Sequence, residues 1–388
     1  MLYVTESGDY KIIIMDKTQR ILSLAANSEI LATFPVLVGQ NPGIKEREGY
    51  MRTLEGCYFV AGGPLQCGES MDQSRQVGVC IVKVIYEPEI EPHAVDLYLS
   101  EGEPNTPVEG WEGFDESACA QFGADGYLVV RRALTPEMVE AARSELQAMT
   151  LADDPECDSI CFEGRISNRL RRNSPSENSA AVDSGQFTLG KAEERMPELA
   201  AAERSAYVRK FMGFTAHHPS LQALASQPGL LQALARIMED TPVLYQEMAM
   251  LKPPQGREKP WHQDHAYFNF SLDTRIVGVW IALEDVNEEN GCMFVVPGGH
   301  LAGPRPHFLR RDWQICDTDI RPLQRIALPM RAGDVLFFHS KLPHGTPINR
   351  TDTMRWAVQY HYIPAAAAPT EDAARMAAFG SEGKDVSC

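Results

Sequence analysis

The chain has 388 residues, 44% of them hydrophobic and 23% charged, and a formal net charge of -17. A length of that order predicts roughly two or three domains, and the composition predicts an ordinary packed core without repeats or low-complexity tracts. The acidic balance repels phosphate backbones and anionic headgroups, so neither nucleic acid nor a membrane is an expected partner.

No apolar stretch of about 18 residues occurs, and the first eight residues contain no basic region leading into an apolar run, which predicts a cytoplasmic protein. The nine cysteines lack the short paired spacings of a zinc ribbon or a disulfide framework and read mainly as small buried hydrophobes. Short β-branched runs at 10–15, 20–24, 34–39 and 77–86 predict a small β-rich domain over residues 1–105. The Pro-, Glu- and Gly-rich segment 87–112 reads as a linker.

A second domain, 114–388, opens with a strand signal at 122–130, followed by Thr135 and Pro136 as N-cap and first residue of a helix reaching about 149. The polar stretch 153–194 has little periodicity and reads as an insertion or an active-site lid. Helical patterns resume at 198–212 and 220–238, and from about 243 to 363 the chain is β-rich, with turns at Pro253-Pro254, Pro297-Gly298-Gly299 and Ala332-Gly333-Asp334. This order predicts a mainly β domain with flanking helices, an α+β arrangement around a sandwich or barrel.

Within that β-rich region, Trp261-His262-Gln263-Asp264 places a histidine and a carboxylate two residues apart, so an extended chain turns both to one metal. His344 lies downstream, after a Gly-Asp turn that begins a new strand. Two histidines and one carboxylate on one face of iron(II) leave positions open for cosubstrate and dioxygen. One His-X-Asp pair is weak evidence alone, and its bland reading is a structural histidine. The conjunction with Arg355, eleven residues past His344 in a strand-like run, is stronger, because a buried guanidinium holds a carboxylate through two parallel hydrogen bonds. His265, His339, His217 and His218 read as structural or solvent-facing.

Residues 114–364 resemble the phytanoyl-CoA dioxygenase family of iron(II)- and 2-oxoglutarate-dependent oxygenases. The matching segments include Gly126-Tyr127-Leu128, Leu251-Lys252-Pro253-Pro254, Trp261-His262-Gln263-Asp264, Glu289-Asn290-Gly291-Cys292, Pro297-Gly298-Gly299-His300, Gly333-Asp334 and His344-Gly345-Thr346, in that order. The resemblance implies a double-stranded β-helix of jelly-roll type, with iron held by the catalytic set His262, Asp264 and His344. It also implies 2-oxoglutarate held by Arg355, with Thr346, Trp280, Met248 and Lys210 as further contacts, dioxygen as oxidant and ascorbate as a compatible reductant. The implied reaction hydroxylates a small organic substrate, while 2-oxoglutarate is decarboxylated to succinate and carbon dioxide. A non-catalytic metal-binding sensor and an acyl-CoA hydroxylase stand as alternatives.

The first 60 residues are similar to part of the L,D-transpeptidase (YkuD-like) domain, on residues 17–24, 35–43 and 45–58. That family's histidine and nucleophilic cysteine motif have no counterpart here. Cys80, in Val77-Gly78-Val79-Cys80, lacks a base, and a thiol without one is a poor nucleophile. The domain is read as a non-catalytic remnant serving packing, homodimerisation or substrate enclosure.

Overall fold

In the computed structural model the described residues are 82–173 and 196–380, together with backbone elements at Leu2–Glu6, Asp9–Asp16, Ile21–Ala26, Glu29–Pro35 and Ala192–Glu193. The chain divides into two compact units, Met1–Val77 and Gly78–Cys388. The first contains the antiparallel meander β1 (Leu2–Glu6), β2 (Asp9–Asp16), β3 (Ile21–Ala26) and β4 (Glu29–Pro35). Cys57, Cys80 and most of the transpeptidase-like segment lie outside the described residues.

The second unit runs through β5 (Lys83–Tyr86), β6 (Val108–Glu109), α1 (Glu116–Asp125), β7 (Tyr127–Arg131), α2 (Pro136–Leu151), β8 (Ser159–Phe162), α3 (Ile166–Asn173), β9 (Ala192–Glu193), α4 (Ala201–Ser205) and β10 (Val208–Met212). It continues with α5 (Pro219–Ala225), α6 (Pro228–Met238), β11 (Pro242–Lys252), β12 (Lys259–His262), β13 (Val277–Ala282) and β14 (Met293–Val295). The last strands are β15 (His307–Leu309), β16 (Trp313–Ile315), β17 (Ile326–Leu328), β18 (Val335–His339), β19 (His344–Thr346) and β20 (Arg355–Pro364). A ten-stranded major sheet has the order β6-β7-β18-β13-β20-β11-β10-β8-β5-β9, and a four-stranded minor sheet the order β12-β19-β14-β17. These are the two sheets of the expected double-stranded β-helix, with helices outside.

Alternation along the central strands separates two cores. On β13, Val277, Val279 and Ile281 join one buried cluster while Trp280 and Ala282 join another. On β18, Val335 and Phe337 alternate in the same way with Leu336 and Phe338. Side chains on successive residues leave opposite faces of a strand, so the major sheet is covered on both sides. The first cluster also holds Leu146 of α2 and Leu230 and Leu234 of α6. The second holds Trp261 of β12 and Phe294 of β14, and so lies between the sheets. Each fully buried large apolar side chain contributes about 1.5–3 kcal/mol.

Several expectations need correction. The segment 87–112 is not a free linker, because β6 pairs in parallel with β7, and Leu97 and Tyr98 are buried in the inter-sheet core. The stretch from 153 contains a fully buried strand, Ser159–Phe162, paired with β10; of the rest of the expected insertion, residues 174–191 lie outside the described residues. The pattern at 198–212 is a short helix followed by a strand, since Val208 and Phe211 are buried in the core and β10 is flanked by β8 and β11. Tertiary pairing there overrides local helix propensity. The expected helix at 220–238 is two helices, α5 and α6, and the second starts at Pro228, whose ring excludes the preceding turn.

Candidate metal and cosubstrate site

β12 and β19 pair antiparallel with His262 opposite His344, and the two ring centroids lie 4.2 Å apart. After His262 the chain stays extended at Gln263 (φ -117°, ψ 127°) and then enters a 3-10 turn over Asp264–Tyr267. This turns the Asp264 carboxylate onto the histidine pair. Asp264 Oδ1 is 3.2 Å from His262 Nε2 and 3.6 Å from His344 Nε2, and one ligand atom from each residue lies within 4.8 Å of the others.

The remaining atoms are committed elsewhere. His262 Nδ1 donates to the Pro260 carbonyl at 2.7 Å and His344 Nδ1 to the Leu342 carbonyl at 2.9 Å. A proton fixed on Nδ1 leaves the Nε2 lone pair free for a metal. Burial and the neighbouring His262 push His344 down to about 3, so it is neutral and ready to ligate. Burial works against ionisation of Asp264, yet the surrounding histidines, His344 and His361 first and then the hydrogen bonds of His262 and His361, hold its carboxyl well below the usual carboxylate range. Asp264 Oδ2 is occupied by His361 Nε2 at 2.7 Å and by Gln359 Nε2 at 3.3 Å, which leaves Oδ1 facing the histidines. Two neutral imidazoles and one carboxylate, all buried and clustered, fit iron(II).

The triad opens into a cavity of about 400 Å³. Its wall is one face of the major sheet. Trp280, Gln359, Met248 and Met212 follow one another across β13, β20, β11 and β10 in register, and Met250 and Lys210 form the next row. Arg355, Thr346, Trp280, Met248 and Lys210 all line this cavity together with His262, Asp264 and His344. Lys210 sits on a strand and has no ion-pair or hydrogen-bond partner among the described residues. The outer wall comes from β5 and its neighbours. There Glu87 pairs with Arg209 at 2.6 Å and Arg257 at 3.5 Å, and Asp312 pairs with Lys259 at 2.9 Å.

Arg355 is 2% exposed. Its guanidinium lies 5.2 Å from the Trp280 ring centre and donates once, to the Met250 carbonyl at 3.3 Å, while Nε has no partner among the described residues. No carboxylate of the described residues lies within ion-pair distance of it, and burial lowers it to about 10. A buried cation lacking an ion-pair partner, lining the same cavity as a metal site, fits a dicarboxylate such as 2-oxoglutarate.

The Phytanoyl-CoA dioxygenase (PhyH) family model matches residues 122–357. The chain belongs to the phytanoyl-CoA dioxygenase family. It is therefore an oxidoreductase of the non-haem iron, 2-oxoglutarate-dependent class. Among relatives, "Phytanoyl-CoA dioxygenase domain-containing protein 1" of Danio rerio is 26% identical over 267 residues, covering 63% of this chain and 88% of that protein. Peroxisomal phytanoyl-CoA dioxygenase of Rattus norvegicus is 37% identical over 128 residues, which is 30% of this chain and 37% of that protein. Similar solved structures include the α-ketoglutarate-dependent carbocyclase SnoK from nogalamycin biosynthesis, at 22% identity and TM-score 0.45 over 69% of this chain and 90% of that one. EctD from S. alaskensis, solved with 2-oxoglutarate and 5-hydroxyectoine, has 19% identity and TM-score 0.45 over 76% of this chain and 88% of that one. No helix among the described residues is long and apolar enough to cross a membrane.

Of the other histidines read from the sequence, His265, His339 and His218 are held by structural contacts. His265 meets Ser340 Oγ at 3.0 Å and the Phe270 carbonyl at 3.3 Å, and stacks on Phe379. His339 Nδ1 accepts from the Lys341 amide at 3.0 Å. His217 is exposed, but His218 is not solvent-facing as expected: it is buried, with Nε2 on the Pro155 carbonyl at 2.9 Å. The functional residues that sequence reasoning missed are His361 and Gln359. The available signal was parity, because both lie on the face of β20 that carries Arg355, four and six residues on. His361→Leu is expected to weaken iron(II) binding about 10–100-fold, the usual cost of losing a partner that orients a ligand. Anaerobic metal titration checks this, and unchanged affinity would show that Oδ2 needs no such restraint.

Proposed function

We propose that the protein hydroxylates, or otherwise oxidises, an unactivated C–H bond of a small organic molecule, and that this is coupled to conversion of 2-oxoglutarate to succinate and carbon dioxide. The observation that carries this reading is that a buried His-Asp-His cluster and an unpaired buried arginine open into the same cavity. Iron, when bound, supplies the oxidising chemistry together with dioxygen and the cosubstrate.

The chain's own residues supply position and shelter. His262, Asp264 and His344 crowd one side of the metal site and leave the other side to the cavity. His361 and Gln359 keep the Asp264 carboxylate in a single orientation. Arg355 and Thr346 take the distal carboxylate, and Trp280 backs the guanidinium. Met212, Met248, Met250 and Phe268 provide an apolar surface on which a hydrocarbon part of the substrate packs, with water kept out. A polarisable, mostly apolar cavity of about 400 Å³ suits a compact metabolite, and a natural-product intermediate is the substrate class favoured here.

The test is anaerobic visible spectroscopy of metal-free protein, to which iron(II) and then 2-oxoglutarate are added. The expected result is a weak charge-transfer band that requires both additions and is absent from His344→Ala. A folded, metal-loaded wild type without the band would sink the cosubstrate reading and favour a metal-binding sensor.

A further inference from the structure

We propose that Lys252 is a positioning residue that selects a cosubstrate ending in a carboxylate, and that it does so by fixing the direction in which the Thr346 hydroxyl donates. This rests on the 2-oxoglutarate reading above. Lys252 ends β11, directly across from Arg355 in the β11–β20 register, and is 2% exposed. Thr346 and Arg355 line the cavity, and Lys252 stands behind them without reaching it. Room for its stem comes from Gly291, where a Cβ would lie 2.9 Å from Lys252 Cδ and 2.9 Å from the Pro347 carbonyl, and where φ is +87°. Asn349 fixes the strand end by donating from Nδ2 to the Lys252 carbonyl at 2.8 Å.

The lysine Nζ meets three acceptors: Thr346 Oγ1 at 2.7 Å, the Thr346 carbonyl at 3.2 Å, and the Pro347 carbonyl in a still closer contact. An ammonium has three protons and no lone pair, so all three are spent and Thr346 Oγ1 must accept. The threonine's own proton then has to go elsewhere. Among the described residues it finds no acceptor, and the cavity is the side left open. A neutral amine would reverse this, since its lone pair could accept the threonine proton, but it could not serve three acceptors.

The cavity wall at Thr346 and Arg355 is consequently made of donors alone. The three acceptors around Nζ call for the ammonium, and an incoming anion would offset what burial sets against that charge. Burial and the nearby Arg355 push Lys252 well below the usual lysine range, despite the opposing influence of Glu163 and Glu258. No carboxylate of the described residues lies within ion-pair distance of either cation. A carboxylate offers only acceptors and brings the missing negative charge. A methyl, amide or hydroxyl end offers neither in full.

The experiment compares two 2-oxo acids on the iron(II)-loaded protein under anaerobic conditions, by calorimetric titration. 2-Oxoglutarate and 2-oxovalerate share the chelating end, and the second has a methyl group where the first has its distal carboxylate. Loss of one hydrogen bond to a charged group corresponds to about tenfold to 100-fold in affinity. Lys252→Met is expected to reduce the preference for 2-oxoglutarate by that factor while leaving 2-oxovalerate affinity unchanged. Thr346→Val should do the same, Thr346→Ser should keep the preference, and the double variant should lose little more than either single one. Unaltered preference in Lys252→Met, equal loss of both acids, or additive losses would overturn the proposal. If Lys252→Met does not fold, Thr346→Val decides the matter, because full preference there leaves the lysine nothing to orient. A wild type that binds neither acid overturns the cosubstrate reading itself, and this inference with it.

Discussion

Asp264→Ala is expected to abolish turnover and to weaken iron(II) binding by at least about 100-fold, beyond the 10–100-fold typical of losing a mere outer partner. The reason lies in how the three ligands divide the work. His262 and His344 face each other across a strand pair and are each pinned by a backbone carbonyl, so they would survive the change in place. Asp264 is the only anion among the three, and it is held ionised by the histidines around it. Without it the site keeps two neutral donors and loses the charge that offsets part of the metal's. His361 and Gln359 would be left facing an empty space in a buried pocket. Anaerobic titration with iron(II), followed by 2-oxoglutarate turnover, measures both effects. An Asp264→Ala protein with wild-type turnover would remove Asp264 from the ligand set and leave the triad without support.

The legible part of this site is the part written in one stretch of chain or in a fixed spacing. His262 and Asp264 are two residues apart with the chain extended between them at Gln263, and that local spacing, with the turn that begins at Asp264, brings them together. The eleven-residue interval from His344 to Arg355 joins two strands consecutive in the chain, β19 and β20, and the connection between them accounts for it. His361 is different, since it lies 97 residues from the carboxylate it orients. Only the β20–β13 and β20–β11 pairings carry it over the metal site. Lys252 was visible as one member of a Leu-Lys-Pro-Pro motif, but its role depends on Thr346, 94 residues away.

The fold shows the same division. Long alternating strands such as β13 and β20 could be read from their pattern. β8 could not, because four residues in a polar stretch give too little periodicity to register. The segment Val208–Met212 follows an Ala- and Glu-rich helical stretch, and nothing local in it separates strand from helix; its two neighbouring strands decide the outcome. β5 falls within the β-run read at 77–86, but its place in the major sheet beside β8 could not be read from it. Its residues Lys83 and Ile85, with Glu87 and Pro88 just beyond, form cavity wall, so a segment upstream of the family-matched region helps to shape the substrate space.

Arg355→Met is expected to separate function from stability. Binding of 2-oxoglutarate should fall by at least about 100-fold, because two charge-assisted hydrogen bonds at about 1.5–3 kcal/mol each are lost. Iron(II) affinity should hardly change, since Arg355 does not touch the ligand set. The apo protein, however, should gain stability. Among the described residues no carboxylate lies within ion-pair distance of this guanidinium, and burial, only partly opposed by the more distant Glu284, lowers it to about 10 from an ordinary value of 12.5. Between those two values the unfolded chain binds more protons than the folded one, so stability rises with pH there, and below about 10 the full cost of keeping the charge buried is present. Methionine fills a similar volume, packs on Trp280 and removes that cost. Wild type should therefore melt lower than Arg355→Met without cosubstrate. Saturating 2-oxoglutarate should reverse the order, because only the wild type gains from binding it. Thermal unfolding of both proteins at neutral pH, with and without 2-oxoglutarate, measures the crossing. A variant that melts well below wild type in the absence of cosubstrate would mean that Arg355 holds the fold together, and its unpaired charge would then be structural rather than kept for an incoming carboxylate.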